Sequence, residues 1–282
     1  MRSFKPDLVV GFGSFHTAPV LFAAVLYKVP LVLFEANAVP GRVNKLFSRF
    51  SKWCATYFPD AAKHLKAKSY LTQMPFWHGR IKKSEGVTQA ESRAYLGLHP
   101  DKTTLLVFGG SQGAASINRM VTQALTELDI DKTELQIIHI TGSTEAAREV
   151  HEIYARMGIT HKSKGFESHM HLVWPGVDLA ISRAGAGSIA EQINYEVPSI
   201  LIPYPYSAKD HQNCNGRYMA ETVKGAAVIN DSDIKVQKLT EILGQLLDTE
   251  SNKLHQMRES IGTYKQITRR HSLTQLILEE LA

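Results

Sequence analysis

Two segments rich in small residues have the composition of anion-binding turns. Gly109–Gly113 (GGSQG) follows the apolar run Thr103–Phe108, and Ala184–Gly187 (AGAG) follows the apolar run Leu179–Ile181. A helical pattern begins after each of them. Small residues let backbone N–H groups approach a ligand, and the dipole of the following helix favours negative charge at its N-terminus. The sequence therefore predicts two candidate phosphate-binding turns.

Neither turn carries the fingerprint of a common nucleotide-binding motif. GGSQG lacks the Gly-Lys-Ser/Thr of a Walker loop, and it does not fit the pattern G-x-G-x-x-G. The next predicted strand, Leu135–Ile140, does not end in the acidic residue that binds the ribose of a dinucleotide. These features argue against a Walker loop and disfavour an NAD-dependent dehydrogenase.

The second turn belongs to the stretch Asp178–Asn215, around which the chain is organised. Its pattern is strand, glycine turn, helix from Ser188 and a second strand, Ser199–Pro203, which is typical of a βαβ unit. Ligands of such units bind outside the carboxyl ends of the strands, where the turn and the Pro205–Gln212 loop are both expected. Ser188 and Glu191 also fit the S-x-x-E capping box, so a purely local role for them stays open.

The N-terminal part of the chain predicts another βαβ unit. The strand Leu8–Val10 is followed by Gly11 and Gly13, an apolar helix over Thr17–Lys28 and the strand Pro30–Phe34. A chain that opens on a buried strand indicates that earlier elements of the sheet are missing, and we expect the flanks of this strand to expose apolar surface.

Basic and aromatic residues alternate in the segment Asn44–Trp53 (NKLFSRFSKW). One hypothesis is an amphipathic helix whose apolar side packs into the core. The other is contact with an anionic membrane surface. The contact residues would then be Lys45, Phe47, Arg49, Phe50, Lys52 and Trp53. A single-strand nucleic-acid binder would repeat its aromatic platform, which this chain does not do, so no nucleic-acid partner is expected.

Length and composition suit a globular protein of two domains. The 282 residues are 44% hydrophobic, which is ample for a core. The net charge of +5 is a mild excess that suits an anionic ligand or membrane surface. The N-terminus shows no apolar signal sequence, and the most apolar run, Ala18–Tyr27, is shorter than the roughly 20 residues of a membrane span. We expect a cytoplasmic protein that is soluble or peripheral.

Cysteine and histidine spacing does not indicate a metal site. Cys54 and Cys214 are the only cysteines, and buried thiols in a reducing compartment are the simplest interpretation. His169 and His171 form a His-x-His pair without a third ligand nearby in the sequence. No metal is expected.

Four segments, in this order and spacing, resemble the MurG family of glycosyltransferases. They are KPDLVVGFGSF…PLVLFEANAVPGRVNK (5–45), GGSQGA (109–114), SRAGAGSIAE (182–191) and the Asp210-His211-Gln212 loop. That family transfers N-acetylglucosamine from UDP-N-acetylglucosamine to lipid I, the undecaprenyl-diphosphate-linked muramyl pentapeptide, and so makes lipid II for peptidoglycan. The resemblance implies an α/β fold of the glycosyltransferase B type, with two doubly wound parallel-sheet domains.

The same resemblance implies three parts of the chain. Residues 1–77 would be the remnant of an acceptor and membrane-side domain, 78–265 a UDP-sugar-binding domain, and 266–282 a C-terminal helix that packs back on the first domain. The first domain is expected to be incomplete, because the GGTGGH-type loop that opens the family does not occur. Trp77 stands where the family usually has arginine, and Arg80 or Arg183 is expected to supply the lost cation.

The resemblance also implies a donor site that needs no cofactor. Ser111 matches a residue near the diphosphate, the Phe166–Glu167 backbone matches the uracil contact, and Glu191 matches the carboxylate that binds the ribose hydroxyls. The implied donor-binding residues are Asn37, Ser111, Gln112, Phe166, Glu167, Ala186, Gly187, Ser188, Glu191, His211 and Gln212. Glu35 is the remaining candidate for the catalytic base.

The implied activity is that of an inverting transferase at the cytoplasmic face of the cell membrane, with UDP-N-acetylglucosamine, lipid I and an anionic membrane surface as partners. Two alternatives stay open. One is a donor-binding fragment or subunit that is inactive without a separate acceptor domain. The other is a UDP-sugar epimerase or hydrolase of the same fold, which would act without a lipid acceptor.

Overall fold

The computed structural model describes residues 4–75, 86–110, 113–207, 210–230, 235–248 and 250–282. The chain divides into two compact units, each of which is described by itself. The first unit comprises Met1–Pro75, Ser207–Asn215 and Thr268–Ala282, and the second comprises Phe76–Tyr206 and Gly216–Ile267. Both are built on parallel sheets, which confirms the predicted α/β class.

The first unit contains a four-stranded parallel sheet whose strands lie in sequence order. They are β1 Val9–Gly11, β2 Leu31–Glu35, β3 Trp53–Thr56 and β4 Ser69–Leu71. Strand β2 is buried along its whole length, as expected for a central parallel strand covered on both faces. The helices of this unit are Ala18–Leu26, Arg42–Phe47, Pro59–Ala62 and Leu273–Leu281. Ser272 caps the last helix, because its hydroxyl accepts a hydrogen bond from Gln275 N–H.

The second unit contains a six-stranded parallel sheet in the order β10-β9-β8-β5-β6-β7. The strands are β5 Thr103–Phe108, β6 Leu135–Ile140, β7 Thr160–Lys164, β8 Leu179–Ser182, β9 Ser199–Leu201 and β10 Ala226–Val228. The chain moves outward from β5 through β6 to β7, and then returns to the other side of β5 with β8. Strand order therefore reverses between β5 and β8, and a doubly wound sheet binds its ligands at such a switch point.

Helices cover both faces of this sheet. Helices in the second unit, in chain order, are Gln89–Leu96, Ala115–Glu127, Thr144–Arg156, Met170–Val173, Ala186–Tyr195, Val236–Leu247 and Lys253–Ile267, while His211–Arg217 and the π-helix Tyr218–Thr222 follow the boundary loop. One core contains Ile117, Val121 and Leu243, and the other contains Leu96 and Trp174. Two separate cores on opposite faces are the signature of a doubly wound layer.

The predicted helix over the basic and aromatic segment is wrong beyond Phe47. The α-helix Arg42–Phe47 is followed by a 3-10 turn, Ser48–Phe50, and then by strand β3. All residues of β3 are buried, so burial between neighbouring strands overrides the helical spacing of the aromatic residues. Strand β7 was not predicted because its sequence, THKSK, is polar, and polar or lysine-rich edge strands protect a sheet from further pairing.

A buried polar network joins the second sheet to its covering helices. Asn118 Nδ2 donates to the carbonyl oxygen of Thr141 (3.0 Å), so Asn118 Oδ1 faces His139 Nε2 (3.0 Å) and accepts a hydrogen bond from its N–H. Nδ1 of the neutral imidazole therefore accepts from the Tyr154 hydroxyl, at 2.8 Å. His139 and Tyr154 are completely buried, and burial lowers the pKa of His139 to about 3.

This network predicts acid sensitivity of the second unit. Between its unfolded pKa of 6.5 and its folded pKa of about 3, His139 is protonated in the unfolded chain and neutral in the folded one. Stability therefore falls as pH falls through this window, by up to about 1.4 kcal/mol per pH unit for one group. Between pH 7 and pH 5.5 the wild type should lose about 1 kcal/mol more than His139→Gln in urea unfolding.

The matched control for this prediction is His255→Gln, because His255 is an exposed histidine of the same unit. It should keep the pH dependence of the wild type. Equal pH dependence in the wild type and in His139→Gln would contradict the assignment of a buried, neutral His139.

Candidate functional site

The first glycine turn follows β5 and leaves no room for a side chain at Gly113. Gly110 and Gly113 have positive φ angles of +91° and +71°, and Gly113 N–H donates to the Gly110 carbonyl oxygen (3.0 Å). A Cβ atom on Gly113 would lie 2.5 Å from the carbonyl oxygen of Thr141. Only glycine fits this position, where the turn packs against the end of β6. Ser111 and Gln112 lie outside the described residues.

The second glycine turn follows β8 and starts a helix earlier than the sequence predicted. The helix begins at Ala186, its N-cap is Gly185 with an extended backbone, and no side chain caps it. The capping-box interpretation of Ser188 and Glu191 is therefore wrong, because Ser188 already lies in the first turn and Glu191 in the second. Both side chains are half-buried, Gly187 is exposed, and a Cβ atom on Gly187 would meet nothing within 4 Å. The surface above this first turn is open to a ligand.

The two turns leave from adjacent strands. Strands β5 and β8 pair in parallel, and their last residues, Phe108 and Ser182, are register partners. The turns thus lie side by side at the carboxyl edge of the sheet, at the point where strand order reverses. Two helix N-termini and their backbone N–H groups open from this edge, which is the arrangement that binds a phosphate or diphosphate.

The predicted uracil contact lies in a loop that follows β7. Gly165 accepts a hydrogen bond from Gly142 N–H (2.9 Å), which ties this loop to the end of β6. The Glu167 carboxylate is buried and accepts from Lys164 Nζ (2.5 Å) and His169 N–H (2.7 Å). Burial raises the pKa of Glu167, but these hydrogen bonds outweigh it and hold the pKa below its usual value. The carboxylate therefore stabilises the loop itself.

A cavity of about 670 Å³ adjoins this loop within the second unit. Its lining includes Ser143, Arg148, His151, Lys164 and Phe166. The Phe166 side chain is 68% exposed, so an aromatic ring borders the cavity at the loop. A planar base could stack on such a ring.

In the first unit, a buried carboxylate organises the turn after β2. Glu35 is 5% exposed. Its Oε1 accepts from the backbone N–H (3.0 Å) and Nδ2 (3.2 Å) of Asn37, and its Oε2 accepts from Gly41 N–H (3.1 Å) and Asn44 Nδ2 (2.9 Å). These four donors occupy both oxygens of the candidate base.

The same turn is held by a residue from a distant part of the sequence. Asn215 Oδ1 accepts from Ala38 N–H (2.8 Å), and Asn215 Nδ2 donates to Asn37 Oδ1 (3.1 Å). Asn215 lies in the helix His211–Arg217, one turn after Gln212, and it is completely buried. Asn44 and Asn215 were not predicted as site residues, because an asparagine in a sequence carries no sign of burial. We call Glu35, Asn37, Asn44 and Asn215 the asparagine clamp.

The candidate membrane residues separate into buried and exposed groups. Phe47 and Trp53 are each 6% exposed, and Trp53 Nε1 donates to Glu280 Oε2 (3.0 Å), so the prediction that they contact a membrane is wrong. Lys52 forms an ion pair with Glu280. Arg49 and Lys52 are exposed, Lys45 is half-buried, and Phe50 is 52% exposed. Within the described ranges of the chain, no helix combines the length and apolarity needed to cross a bilayer.

Two family models match this chain. The glycosyltransferase family 28 C-terminal domain matches residues 104–274, and the glycosyltransferase family 28 N-terminal domain matches residues 1–56. The first match covers all of the second sheet except Thr103, together with both glycine turns.

Curated relatives match almost the entire chain. A Protochlamydia amoebophila protein named UDP-N-acetylglucosamine--N-acetylmuramyl-(pentapeptide) pyrophosphoryl-undecaprenol N-acetylglucosamine transferase is 38% identical over 99% of this chain and 73% of its own length. A Halothermothrix orenii protein of the same name is 35% identical over 98% of this chain and 75% of its own length.

A solved structure has the same fold. The crystal structure of Acinetobacter baumannii MurG is 27% identical, with a TM-score of 0.74 over 98% of this chain and 74% of that chain. Together with the parallel sheets of four and six strands, it confirms the predicted glycosyltransferase B-type fold. The chain belongs to glycosyltransferase family 28 and, within it, to the MurG family.

Proposed function

We propose that this chain transfers N-acetylglucosamine from UDP-N-acetylglucosamine to lipid I, forming lipid II for peptidoglycan synthesis. The observation that carries the proposal is the pair of glycine turns on adjacent strands at the switch point of the second sheet. The relatives named for this transfer match nearly the whole chain and support the choice of donor and acceptor.

The second unit supplies the parts that a UDP-sugar needs. The two turns offer backbone N–H groups to the diphosphate, the loop at Phe166 and Glu167 borders a cavity for the base, and Glu191 offers a carboxylate to the ribose hydroxyls. Negative charge grows on the UDP leaving group in the transition state. Amides fixed in tight turns need no reorganisation at that moment, so they lower the barrier.

The asparagine clamp supplies a rigid turn in the first unit. The clamp is held by hydrogen bonds between buried or half-buried groups. Because water has little access to these groups, the hydrogen bonds are strong and they orient Asn37. Glu35 could act as a base only by releasing one of its donors. The clamp contacts therefore favour a role for Glu35 in holding Asn37, and its role as the base stays a prediction.

We further propose that the first unit binds the cytoplasmic face of the cell membrane peripherally. Support comes from Arg49 and Lys52, which are exposed, and from Leu46 and Phe50, whose side chains are half-exposed. Basic and apolar side chains together bind anionic bilayers, because each cation near the surface adds attraction and each ring adds buried area.

The proposed activity is tested by incubating the chain with radiolabelled UDP-N-acetylglucosamine and lipid I. We expect label in lipid II and release of UDP. Label in a free sugar or an epimer without lipid would favour a hydrolase or epimerase instead. UDP binding without any turnover would favour the donor-binding subunit, and NAD binding without UDP binding would reject the transferase altogether.

The first prediction from the proposed function concerns Glu191. Replacement by Ala should weaken UDP binding by roughly 10- to 100-fold, because a charge-assisted hydrogen bond to the ribose is lost. Inorganic pyrophosphate, which lacks the ribose, should bind both proteins equally. Calorimetry measures both affinities. The control is Glu149→Ala, since Glu149 is an exposed glutamate on another helix of the same unit. Unchanged UDP affinity in Glu191→Ala would remove Glu191 from the site.

The second prediction concerns the asparagine clamp. Asn215→Ala should slow transfer by roughly tenfold or more, since Ala38 N–H and Asn37 lose their buried partner. Its affinity for UDP should stay unchanged, because the clamp belongs to the first unit. Asn213→Ala, in the same helix, is the control and should retain most of the activity. Full transfer activity in Asn215→Ala would show that the contacts of Asn215 are dispensable for transfer.

The third prediction concerns the membrane. Arg49→Glu and Phe50→Asp should each reduce sedimentation with vesicles containing phosphatidylglycerol by roughly fivefold, and added salt should weaken wild-type binding. Lys162→Glu, an exposed change on the edge strand of the second unit, should bind like the wild type. If neither Arg49→Glu, nor Phe50→Asp, nor added salt reduces vesicle binding, the membrane contact lies elsewhere in the chain.

A further inference from the structure

Arg183 contacts two other segments of the second unit, which are far apart in the sequence. Its Nη1 donates to the carbonyl oxygens of Ile202 and Pro203, each at 3.1 Å, and its Nη2 donates to the Ser116 hydroxyl at 2.9 Å. Its guanidinium lies 5.5 Å from the ring centre of Tyr204. Arg183 itself lies between the end of β8 at Ser182 and the second glycine turn.

Each contacted segment borders one side of the carboxyl edge. Ser116 is the second residue of the helix Ala115–Glu127, which begins where the first glycine turn ends. Ile202 and Pro203 follow strand β9, the neighbour of β8 in the sheet. One side chain therefore joins the first turn, the second turn and the end of β9.

We call Arg183 and its partners Ser116, Ile202 and Pro203 the junction. Its chemistry requires arginine. A guanidinium has donors in a rigid planar fork, so it can bond acceptors on both sides at once and keep their spacing fixed. A lysine ammonium is a point charge on a flexible stem and fixes no such spacing. The sequence suggested that Arg183 replaces a phosphate-binding cation, whereas these donors are bonded to protein acceptors.

The junction also changes the electrostatics of the edge. The carbonyl oxygens of Ile202 and Pro203 follow β9 at the edge that holds the two turns, and their partial negative charge would repel an anion bound nearby. Pairing Ile202 and Pro203 with a cation offsets that charge within the low-dielectric protein. The edge becomes more favourable for a diphosphate without a direct contact from Arg183.

We propose that Arg183 is a positioning residue that fixes the spacing of the two glycine turns for the diphosphate of a nucleoside diphosphate. This inference rests on the proposed function. It assigns specificity for the diphosphate to the junction, while the base and the ribose depend on the Phe166–Glu167 loop and on Glu191.

The test compares affinities for UDP and uridine in Arg183→Lys, Arg183→Ala and Ser116→Ala. UDP affinity should fall roughly 10- to 100-fold in both Arg183 variants and two- to fivefold in Ser116→Ala, because each removes charge-assisted hydrogen bonds from the junction. Uridine affinity should change less than twofold in all three. Methylguanidinium, well below denaturing concentrations, should restore part of the UDP affinity of Arg183→Ala and none in Ser116→Ala. Arg156→Lys, an exposed arginine of the same unit, should match the wild type.

The outcomes separate two failures. A wild type that binds neither UDP nor uridine would reject the proposed function. A wild type that binds UDP, with an unchanged ratio of UDP to uridine affinity in Arg183→Lys and Ser116→Ala, would overturn the inference while the proposed function stands. Ser116→Ala keeps the test decisive even if Arg183→Ala fails to fold, because it removes only an exposed hydroxyl from a helix.

Discussion

The contact between Gly113 and the Thr141 carbonyl is the constraint on which the second unit's site depends. It requires a residue without a Cβ atom at a positive φ angle, and it sets how closely the first turn approaches the end of β6. The same carbonyl accepts from Asn118, whose partner His139 is in turn bonded to Tyr154. A buried chain of hydrogen bonds thus fixes the wall against which the turn packs, and it contains no group that changes its charge near neutral pH.

Both units position a backbone segment by the same physical means. In the second unit, hydrogen-bonded polar side chains behind the two turns, among them Asn118 and Arg183, hold the geometry of the sheet edge. In the first unit, the Glu35 carboxylate gathers N–H groups of the turn after β2, and Asn215 fixes that turn from a distant part of the sequence. Hydrogen bonds between buried polar groups rigidify a site, because breaking one would leave a polar atom without a partner in the protein interior.

Much of this fold could be predicted from local patterns. Apolar runs followed by glycine and then by a helical pattern identified the βαβ units that contain β1 with β2 and β8 with β9, and both are parallel pairs. The order of strands could not be predicted, because the reversal between β5 and β8 follows from packing across the whole sheet. It is this reversal that brings the two glycine turns together.

The remaining differences have specific physical causes. The helix after β8 begins at Ala186 because Gly185 already has the extended backbone of an N-cap, so the S-x-x-E pattern two residues later was misleading. Phe47 and Trp53 have the spacing of a membrane-binding face, yet both side chains are buried in the first unit, where Trp53 also donates a hydrogen bond to Glu280. Asn215 acts through a contact between residues far apart in sequence, which no local pattern contains.

The central claim is that the amides of the two glycine turns bind the diphosphate of a UDP-sugar. Hydrogen–deuterium exchange of the full chain, measured with and without saturating UDP, tests it most directly. Slower exchange in peptides covering 109–114 and 184–188 is the predicted result, because an amide that donates to phosphate exchanges slowly. Binding of UDP with unchanged exchange in both segments would contradict the account and place the diphosphate elsewhere.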